Sequence, residues 1–239
     1  MISVFQDLPV RAGFTCRPAD GKVYRADLLK EAPVVRLSLV HGKEIAVIRS
    51  AGPEGAVPFR ADTDEGFLDV YDADGAVTDL PGVYLTTTHG DCLPIWACDP
   101  VRGVIGIAHA GWRGTLEGIA ANLIRTMASA YGCDPADICC EIGPGIGACC
   151  FEVGPDVADL FLERFPWAED FVYGHPGRRP FLDLKGINAE LLRMEGAERI
   201  GISSHCTCCE PDLFWSHRRS GDKTRMLAFI QKTENNTGV

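Results

Sequence analysis

Seven short runs rich in valine and isoleucine, bounded by Gly, Pro or Asp, set the character of this 239-residue chain. Runs of this length and composition are typical of β-strands. The runs are Glu44 to Ser50, Val83 to Thr88, Leu93 to Cys98, Gly103 to His109, Ile138 to Ile142, Arg199 to Ser203 and Arg225 to Gln231. The predicted strands outnumber the predicted helices and do not alternate strictly with them. The pattern therefore favours an α+β fold, with helices packed on a mixed β-sheet, over a doubly wound parallel sheet.

Three stretches carry apolar residues at the 3.6-residue period and predict helices, each with one apolar face for the sheet. The first runs from Thr115, which can cap it, to Tyr131, and Gly132 is placed to end it. Its stripe consists of Leu116, Ile119, Leu123, Met127 and Ala130. The second helix opens at Pro155 and aligns Val157, Leu160, Phe161 and Arg164. The third begins near Asp183 as N-cap, carries Ile187, Leu191 and Met194, and stops at Gly196.

No repeat, low-complexity tract or long linker divides the chain, so we expect one domain over residues 1–239, with a frayed tail from Lys232 onward. The formal net charge of −10 argues against a protein that grips nucleic acid or anionic lipid. No apolar run approaches the ~20 residues of a membrane helix, and the first residues lack the pattern of a signal peptide. The expected location is therefore the cytoplasm. No heptad seam indicates an oligomer, so the oligomeric state stays open.

The cysteines are numerous but do not form a disulfide framework. There are 11 of them, an odd number, and several are adjacent in sequence. Without a secretory signal we expect a reducing compartment and free thiols, most of them buried as small apolar side chains. Cys206-Thr207-Cys208-Cys209 contains a CxxC spacing. Because a structural zinc site usually takes a second such pair and the sequence shows none, this spacing alone does not predict a metal site.

The stretch from Thr86 to Gly114 carries the strongest chemical signal. It places His89, Asp91, Cys92 and His109 near predicted strand ends and then runs through a glycine-rich turn into a helix. The turn around Gly111 frees the backbone and presents the helix N-terminus, and Arg113 adds a permanent planar charge. This predicts an anion site, with an ordinary turn and a solvated arginine as the alternative.

A second interpretation concerns Cys92 and His109, which the ends of two neighbouring strands can bring together. A thiolate beside an imidazole is either a nucleophilic dyad or part of a catalytic metal site. His41, where a loop enters a predicted strand, is a plausible third ligand, and Cys with two His is a known composition for catalytic zinc.

Three other histidines are weaker candidates for a functional role. His89 either faces the same pocket or caps a turn, and the turn is favoured. His217 and Arg218 are candidates for the substrate cleft. His205 either binds a metal with the CxxC or is packed, and packing is favoured.

The chain also resembles the YfiH family, long described as multicopper polyphenol oxidase or laccase-domain proteins. The matching phrases are Val40-His41-Gly42, Asp91-Cys92-Leu93-Pro94, the run from Ala108 to Gly114, the runs 142–147 and 150–154, and Phe214 to Arg219 with Arg225-Met226. They span most of the chain. The departures lie at the start, where the segment from Pro18 to Pro33 is shorter than is usual, so the resemblance does not extend to a substrate contact by Arg17.

The resemblance implies a single α+β domain with a mononuclear metal site at His41, Cys92 and His109, with zinc as the metal and copper as the alternative. It further implies a purine nucleoside phosphorylase that acts on adenosine, inosine, guanosine or methylthioadenosine and also deaminates adenosine. Its small-molecule partners are then these nucleosides and phosphate. In this hypothesis Asp91 either orients the site or shuttles a proton, and Arg113 with Gly111 holds phosphate.

Two other functions stay open. One is a metal-free hydrolase with Cys92 as nucleophile and His109 as base. The other is a phenol oxidase that uses a single copper, because copper outcompetes zinc at most nitrogen and sulfur sites. A multicopper oxidase needs many histidines, commonly in His-x-His pairs, whereas this chain has 6 histidines and no such pair.

Overall fold

Two seven-stranded β-sheets lie face to face, and helices cover the outer face of one of them. The computed structural model describes residues 1–17, 32–57, 59–64, 67–174, 179–221 and 223–233. The strands are β1 (Ile2–Val4), β2 (Val10–Phe14), β3 (Val34–Ser38), β4 (Ile45–Ile48), β5 (Ala56–Val57), β6 (Ala61–Asp64), β7 (Phe67–Tyr71), β8 (Gly75–Thr78), β9 (Tyr84–His89), β10 (Leu93–Asp99), β11 (Val104–Ala110), β12 (Cys139–Ile142), β13 (Val172–Tyr173), β14 (Phe181–Leu182), β15 (Arg199–Ile202) and β16 (Met226–Lys232). The helices are α1 (Trp112–Glu117), α2 (Ile119–Tyr131), α3 (Pro155–Arg164), α4 (Leu184–Met194) and α5 (His217–Ser220).

Both sheets are mixed. The first has the strand order β1-β2-β16-β9-β3-β7-β6 and the second β15-β12-β10-β11-β8-β4-β5, while β13 and β14 form a small separate pair. Antiparallel pairing joins β10 to β11, and parallel pairing joins β12 to β15 and β3 to β9. The predicted α+β fold, with helices on a mixed sheet, is confirmed.

Side-chain alternation in the second sheet divides the core into two layers. Every residue of β10 and β11 is buried, as expected for strands covered on both faces. Along β10, Ile95 faces the layer under the helices, whereas Trp96 faces the layer between the sheets. The Trp96 indole Nε1 donates a hydrogen bond to the Phe229 carbonyl of β16 at 3.0 Å. One fully buried side chain thus connects the two sheets.

All seven predicted strands form, with ends shifted by a residue or two. The prediction for the first helix is wrong at its start and in its continuity. Gly111 rather than Thr115 is the N-cap, and the helix breaks at Gly118, whose φ of 88° is left-handed. Thr115 is instead buried inside α1, where its hydroxyl accepts a hydrogen bond from Asn188.

The other helix predictions fare better. Gly132 ends α2 in a left-handed conformation, and the Asp183 side chain caps α4 by accepting from two backbone N–H groups. In α3, Phe161 is buried as expected, whereas Leu160, expected on the same stripe, is 43% exposed, and Ala158 faces the core in its place.

Most of the tail expected to fray is not described by the structure. Its first residue, Lys232, ends β16, and the Thr233 N–H donates to the Pro9 carbonyl. Residues 234–239 lie outside the described residues, as do residues 18–31 of the segment interpreted as shortened. Within the described ranges, no helix combines the length and the apolar character needed to cross a membrane.

We expect Trp96→Ala to lower the free energy of unfolding by about 3–5 kcal/mol, because it empties a fully buried site and removes the hydrogen bond between the sheets. Urea denaturation followed by circular dichroism measures this. Leu160→Ala is the control and should change stability by about 0.5 kcal/mol or less, since its side chain is exposed. Equal losses in the two variants would contradict the role given to Trp96.

Candidate metal centre

His41, Cys92 and His109 come together from three different elements. His41 lies in the loop between β3 and β4, Cys92 in the turn between β9 and β10, and His109 near the end of β11. Because Leu93 of β10 is paired with Ala110 of β11, Cys92 is held next to His109 by the sheet register. One ring nitrogen of each histidine and the Cys92 sulfur all lie within 4.8 Å of one another.

This donor set fits one metal ion of the zinc type. Two imidazole nitrogens and one thiolate leave a fourth tetrahedral position for substrate or water, which is the arrangement of catalytic zinc sites. Among the described residues, the remaining group with ligand spacing is made of cysteines alone, so the histidines needed for several coppers do not converge here.

Asp74, which the sequence interpretation missed, holds two of the donors in place. Its fully buried carboxylate accepts hydrogen bonds from the backbone N–H groups of Val40, His41 and Gly42 at 2.8–3.1 Å. The same carboxylate receives the His109 Nδ1–H at 3.1 Å. That bond leaves His109 Nε2 as the nitrogen for an ion, as in other carboxylate–histidine metal sites.

The His41 loop depends on this carboxylate. His41 has a φ of 62°, a left-handed conformation that a residue with a side chain adopts only when its surroundings impose it. Three consecutive N–H groups converging on Asp74 provide that constraint. In sequence, Asp74 is one acidic residue in the run Asp72-Ala73-Asp74-Gly75, and nothing in that pattern distinguishes it from a solvated turn residue.

His89 supports the turn that carries Cys92, as the sequence analysis favoured. It is fully buried, and its Nδ1 donates to the Cys92 carbonyl at 3.0 Å, because a carbonyl can only accept. Its Nε2 then accepts from the Thr87 hydroxyl at 2.8 Å. Burial, together with the charge of His109, holds the pKa of His89 well below its ordinary value, so this ring stays neutral.

The surroundings shift the pKa values of Cys92 and His109 in opposite directions. Burial acts to raise the pKa of the Cys92 thiol, but contacts with His109 and His41 outweigh it and lower the pKa to about 6. Burial likewise acts to lower the pKa of His109, whereas its bonds to Asp74 and Cys92 raise it to about 9. Cys92 is therefore a thiolate near neutral pH, which is the form that binds metals, whereas His109 is protonated and releases a proton when it binds an ion.

Gly111 is needed here for space. A Cβ at this position would lie 3.0 Å from the Cys92 sulfur and 3.5 Å from the His41 ring. Its φ of −77° is open to any residue, so the requirement comes from the close approach of the α1 N-terminus to the donors. Gly111 therefore contacts the centre, although the expected phosphate contact is not tested by this geometry.

The three donors open into a cavity of about 630 Å³, a size typical of small-molecule sites. The lining residues are Leu37, Ser38, Leu39, His41, Thr88, Gly90, Asp91, Cys92, His109, Ile146, Phe151, His217, Arg218 and Arg225. Two arginines therefore share the cavity with the metal centre. His217 and Arg218, candidates from the sequence, lie in it, as does Arg225, which the sequence analysis named in a family motif without giving it a role.

Arg113 lies elsewhere. Its side chain is exposed and its guanidinium stacks on the Trp112 ring at 4.3 Å, and it is absent from the described lining of the cavity. Its phosphate contact stays a prediction. His205 is packed, as favoured, with its ring against Phe214 and its Nδ1 on Glu210. Arg17 stacks on Trp215 at 4.0 Å and donates to the Pro211 carbonyl.

Asp91 lines the cavity, but both of its oxygens are engaged. One accepts from the Thr207 hydroxyl at 2.6 Å and the other from the Arg218 N–H at 2.7 Å. The sequence analysis left two roles for Asp91, orienting the site or shuttling a proton. These hydrogen bonds suit the orienting role, because they fix the start of α5 at the cavity wall.

Comparisons with known proteins agree with this description. A family model described as "Multi-copper polyphenol oxidoreductase laccase" matches residues 21–233. Purine nucleoside phosphorylase YlmD of Geobacillus stearothermophilus is 39% identical in an alignment of 205 residues that covers 82% of this chain and 70% of YlmD. Adenosine deaminase RL5, from an unknown prokaryotic organism, is 35% identical over 167 residues, 68% of this chain and 63% of RL5.

The fold is shared as well. The crystal structure of YlmD from Geobacillus stearothermophilus superposes with a TM-score of 0.80 at 30% identity, and the match covers 95% of this chain and 93% of that one. The resemblance identified from the sequence motifs is thereby confirmed. This chain belongs to the multi-copper polyphenol oxidoreductase laccase family, which is the YfiH family of the sequence analysis.

Proposed function

We propose that this protein is a metal-dependent purine nucleoside phosphorylase that also deaminates adenosine. The observation that carries the proposal is the convergence of His41, Cys92 and His109 in a cavity of about 630 Å³ that two arginines also line. A cavity of this volume accommodates a nucleoside together with phosphate. The names of its relatives, purine nucleoside phosphorylase and adenosine deaminase, support the same conclusion.

Zinc is the proposed metal, held by His41, Cys92 and His109. When bound, it would supply Lewis acidity in the cavity. The chain's own residues prepare that position, because Asp74 orients His109 and fixes the His41 loop, while His89 fixes the carbonyl of Cys92. Copper is the alternative metal, and elemental analysis of the purified protein distinguishes the two.

Phosphorolysis requires an anion to be held beside the sugar. A phosphate oxygen bonds to the anomeric carbon as the bond from that carbon to the purine nitrogen breaks, and the purine leaves with the bonding electrons and takes up a proton. Arg218 and Arg225 line the cavity and are suited to phosphate, since a guanidinium binds it through paired hydrogen bonds. Asp91 positions Arg218 through its backbone N–H. Arg113 with Gly111, at the α1 N-terminus, is the other candidate pair for phosphate.

The thiolate–imidazolium pair of Cys92 and His109 also favours a second candidate, a metal-free cysteine hydrolase. That mechanism needs neither His41 nor an ion. Activity that persists after chelation and in His41→Ala, with alkylation of Cys92 stopping it, would favour the hydrolase. The single-copper phenol oxidase is removed if the copper-loaded protein fails to oxidise a phenolic dye. A cytoplasmic location is part of the proposal and rests on the sequence alone.

We expect Cys92→Ala to lose the metal of this centre, because one of the three protein ligands is gone. Release of hypoxanthine from inosine and phosphate should then be about 100-fold slower or more. Elemental analysis and ultraviolet detection of hypoxanthine measure the two effects. Cys139→Ser, in β12, is the matched control and should retain both metal and activity. Deamination of adenosine is measured separately in the absence of phosphate, so that phosphorolysis does not compete with it. Full phosphorolysis by Cys92→Ala would overturn the proposal.

Asp74→Asn should weaken zinc binding by about 10–100-fold, because the amide cannot replace the charge that faces His109 and the N–H groups of the His41 loop. Competition with a chromogenic chelator measures the affinity. Asp72→Asn is the matched control, since Asp72 is exposed and its left-handed φ of 59° is one that asparagine tolerates. Unchanged zinc affinity in Asp74→Asn would show that the carboxylate does not position the donors.

Steady-state kinetics on two arginine variants separate the two candidate phosphate sites. We expect Arg225→Gln to raise the KM for phosphate by about 10–100-fold at unchanged metal content, because a charged hydrogen bond is lost. Arg113→Gln should leave the KM within about twofold, since its guanidinium stacks on Trp112 outside the cavity. The reverse result would return the phosphate to the helix N-terminus at Gly111.

A further inference from the structure

Four cysteines converge at a second place in the molecule, away from the centre just described. Cys149 and Cys150 lie in the loop after β12, and Cys206 and Cys209 lie in the loop after β15. Their four sulfur atoms are all within 4.8 Å of one another. The sequence offered the CxxC pair without a partner, because the second pair is adjacent in sequence and follows no familiar spacing.

The sulfur positions are those of ligands around a common point. Cys209 Sγ lies 3.5 Å from Cys149 Sγ and 3.3 Å from Cys150 Sγ, so it has two comparable neighbours. A disulfide joins one pair at about 2.05 Å and leaves the others out. Four sulfurs placed tetrahedrally at about 2.3 Å from a zinc ion are separated from one another by roughly 3.8 Å. The observed cluster is close to the second arrangement.

Both pairs of cysteines are held on tight backbone turns. The Cys206 carbonyl accepts the N–H groups of Cys209 and Glu210, each at 3.2 Å, which closes one turn across the CxxC. The Gly147 carbonyl accepts the N–H groups of Cys150 and Phe151, each at 3.0 Å, which closes the other. The Gly147 N–H in turn donates to Cys206 Sγ at 3.2 Å. A backbone donor aimed at sulfur stabilises the thiolate form that metals bind.

Two cations lie beside the cluster, together with the Glu210 carboxylate, which accepts the Cys206 N–H at 2.9 Å. The Lys185 ammonium is buried and donates to the carbonyls of Ser203 and His205, just before Cys206. The Arg219 guanidinium donates to the carbonyls of Thr207 and Cys208, within the CxxC turn. A divalent ion with four thiolates carries a net charge of −2, which these two cations offset.

We propose that Cys149, Cys150, Cys206 and Cys209 form a second, structural metal site that takes one zinc ion in tetrahedral sulfur coordination. On binding, each thiol releases its proton and its sulfur donates an electron pair to the ion, with no change of oxidation state. Thiolate ligands in this geometry select zinc or iron, and four ligands around one point suit a single ion.

The site would fasten together the two loops that form one wall of the substrate cavity. Ile146 and Phe151 of the first loop line the cavity, as do His217 and Arg218, which follow the second. Arg218 Nη1 donates to the carbonyls of Cys150 and Glu152 at 3.0 and 2.9 Å, so the loops already contact each other beside the cysteines. The ion is thus a positioning element for the cavity wall and takes no part in the reaction.

The first experiment counts zinc in protein purified under reducing conditions and dialysed against a weak chelator. Because two donor groups are present, the wild type should hold two zinc ions per chain, Cys92→Ala one and Cys209→Ser one. The double variant should hold none, and Cys139→Ser is the control that keeps both. A Cys209→Ser variant with as much zinc as the wild type would overturn the proposal. So would iron in place of zinc.

A second measurement leaves the cluster unmutated and so does not depend on how its variants fold. Cobalt(II) added to metal-free Cys92→Ala should produce strong sulfur-to-cobalt charge-transfer bands and the visible bands of tetrahedral cobalt. Their absence would overturn the proposal, whatever the fate of the His41 centre.

A disulfide within the cluster is the alternative to a metal site, and a thiol count distinguishes the two. In denaturant with chelator, the wild-type chain isolated without reductant should show all 11 thiols free, and a count of nine would assign a disulfide instead.

Discussion

The buried carboxylate of Asp74 is the interaction on which the centre depends. It receives three backbone N–H groups from the His41 loop and the side chain of His109, so a single anion sets the relative position of two metal donors. Hydrogen bonds to a carboxylate in a dry environment are stronger than those between neutral groups. Burial acts to raise the pKa of Asp74, but its contacts with His109 and Gly42 outweigh this and lower it, so it stays ionised.

The pairing of β8 with β11 fixes the position of the Asp74 carboxylate. β8 and β11 are neighbours in the second sheet, and the Asp74 carbonyl accepts the His109 N–H at 2.7 Å just where their pairing begins. Asp74 is thus attached to β11 by backbone as well as by side chain. The space between the sheets is apolar along most of its length and polar at this end, where His89 and His109 lie with ring centroids 5.2 Å apart.

The parts of the structure that the sequence predicted share a physical basis. Strands such as β10 and β11 are continuous apolar runs because both of their faces are covered, and that pattern is visible without a partner. Strands such as β6 (Ala-Asp-Thr-Asp) carry little apolar signal and form because a neighbouring strand pairs with them. The break at Gly118 was missed because the apolar period continues across it.

The residues of the two candidate sites likewise fall into those that the sequence alone indicates and those whose role depends on the fold. His41, Cys92 and His109 were recognisable because histidine and cysteine at strand ends carry chemistry in themselves. Asp74 was not, since its role exists only when the His41 loop folds over it. The cysteine cluster depends on contact between loops more than 50 residues apart, as the Cys149–Cys209 separation shows. Such a contact leaves no periodic trace in the chain.

The way in which the three donors are held has a consequence for which ions fit. Cys92 is placed by the ladder between β10 and β11 and His109 lies within it, so their separation is fixed by strand spacing. His41 stands on the loop between β3 and β4, which hydrogen bonds attach to the Asp74 carboxylate. In the proposed metal site, an ion of different radius would therefore displace His41 most readily, at the expense of those bonds. The stiffness of that loop would then add to the chemistry of the donors in discriminating between metals.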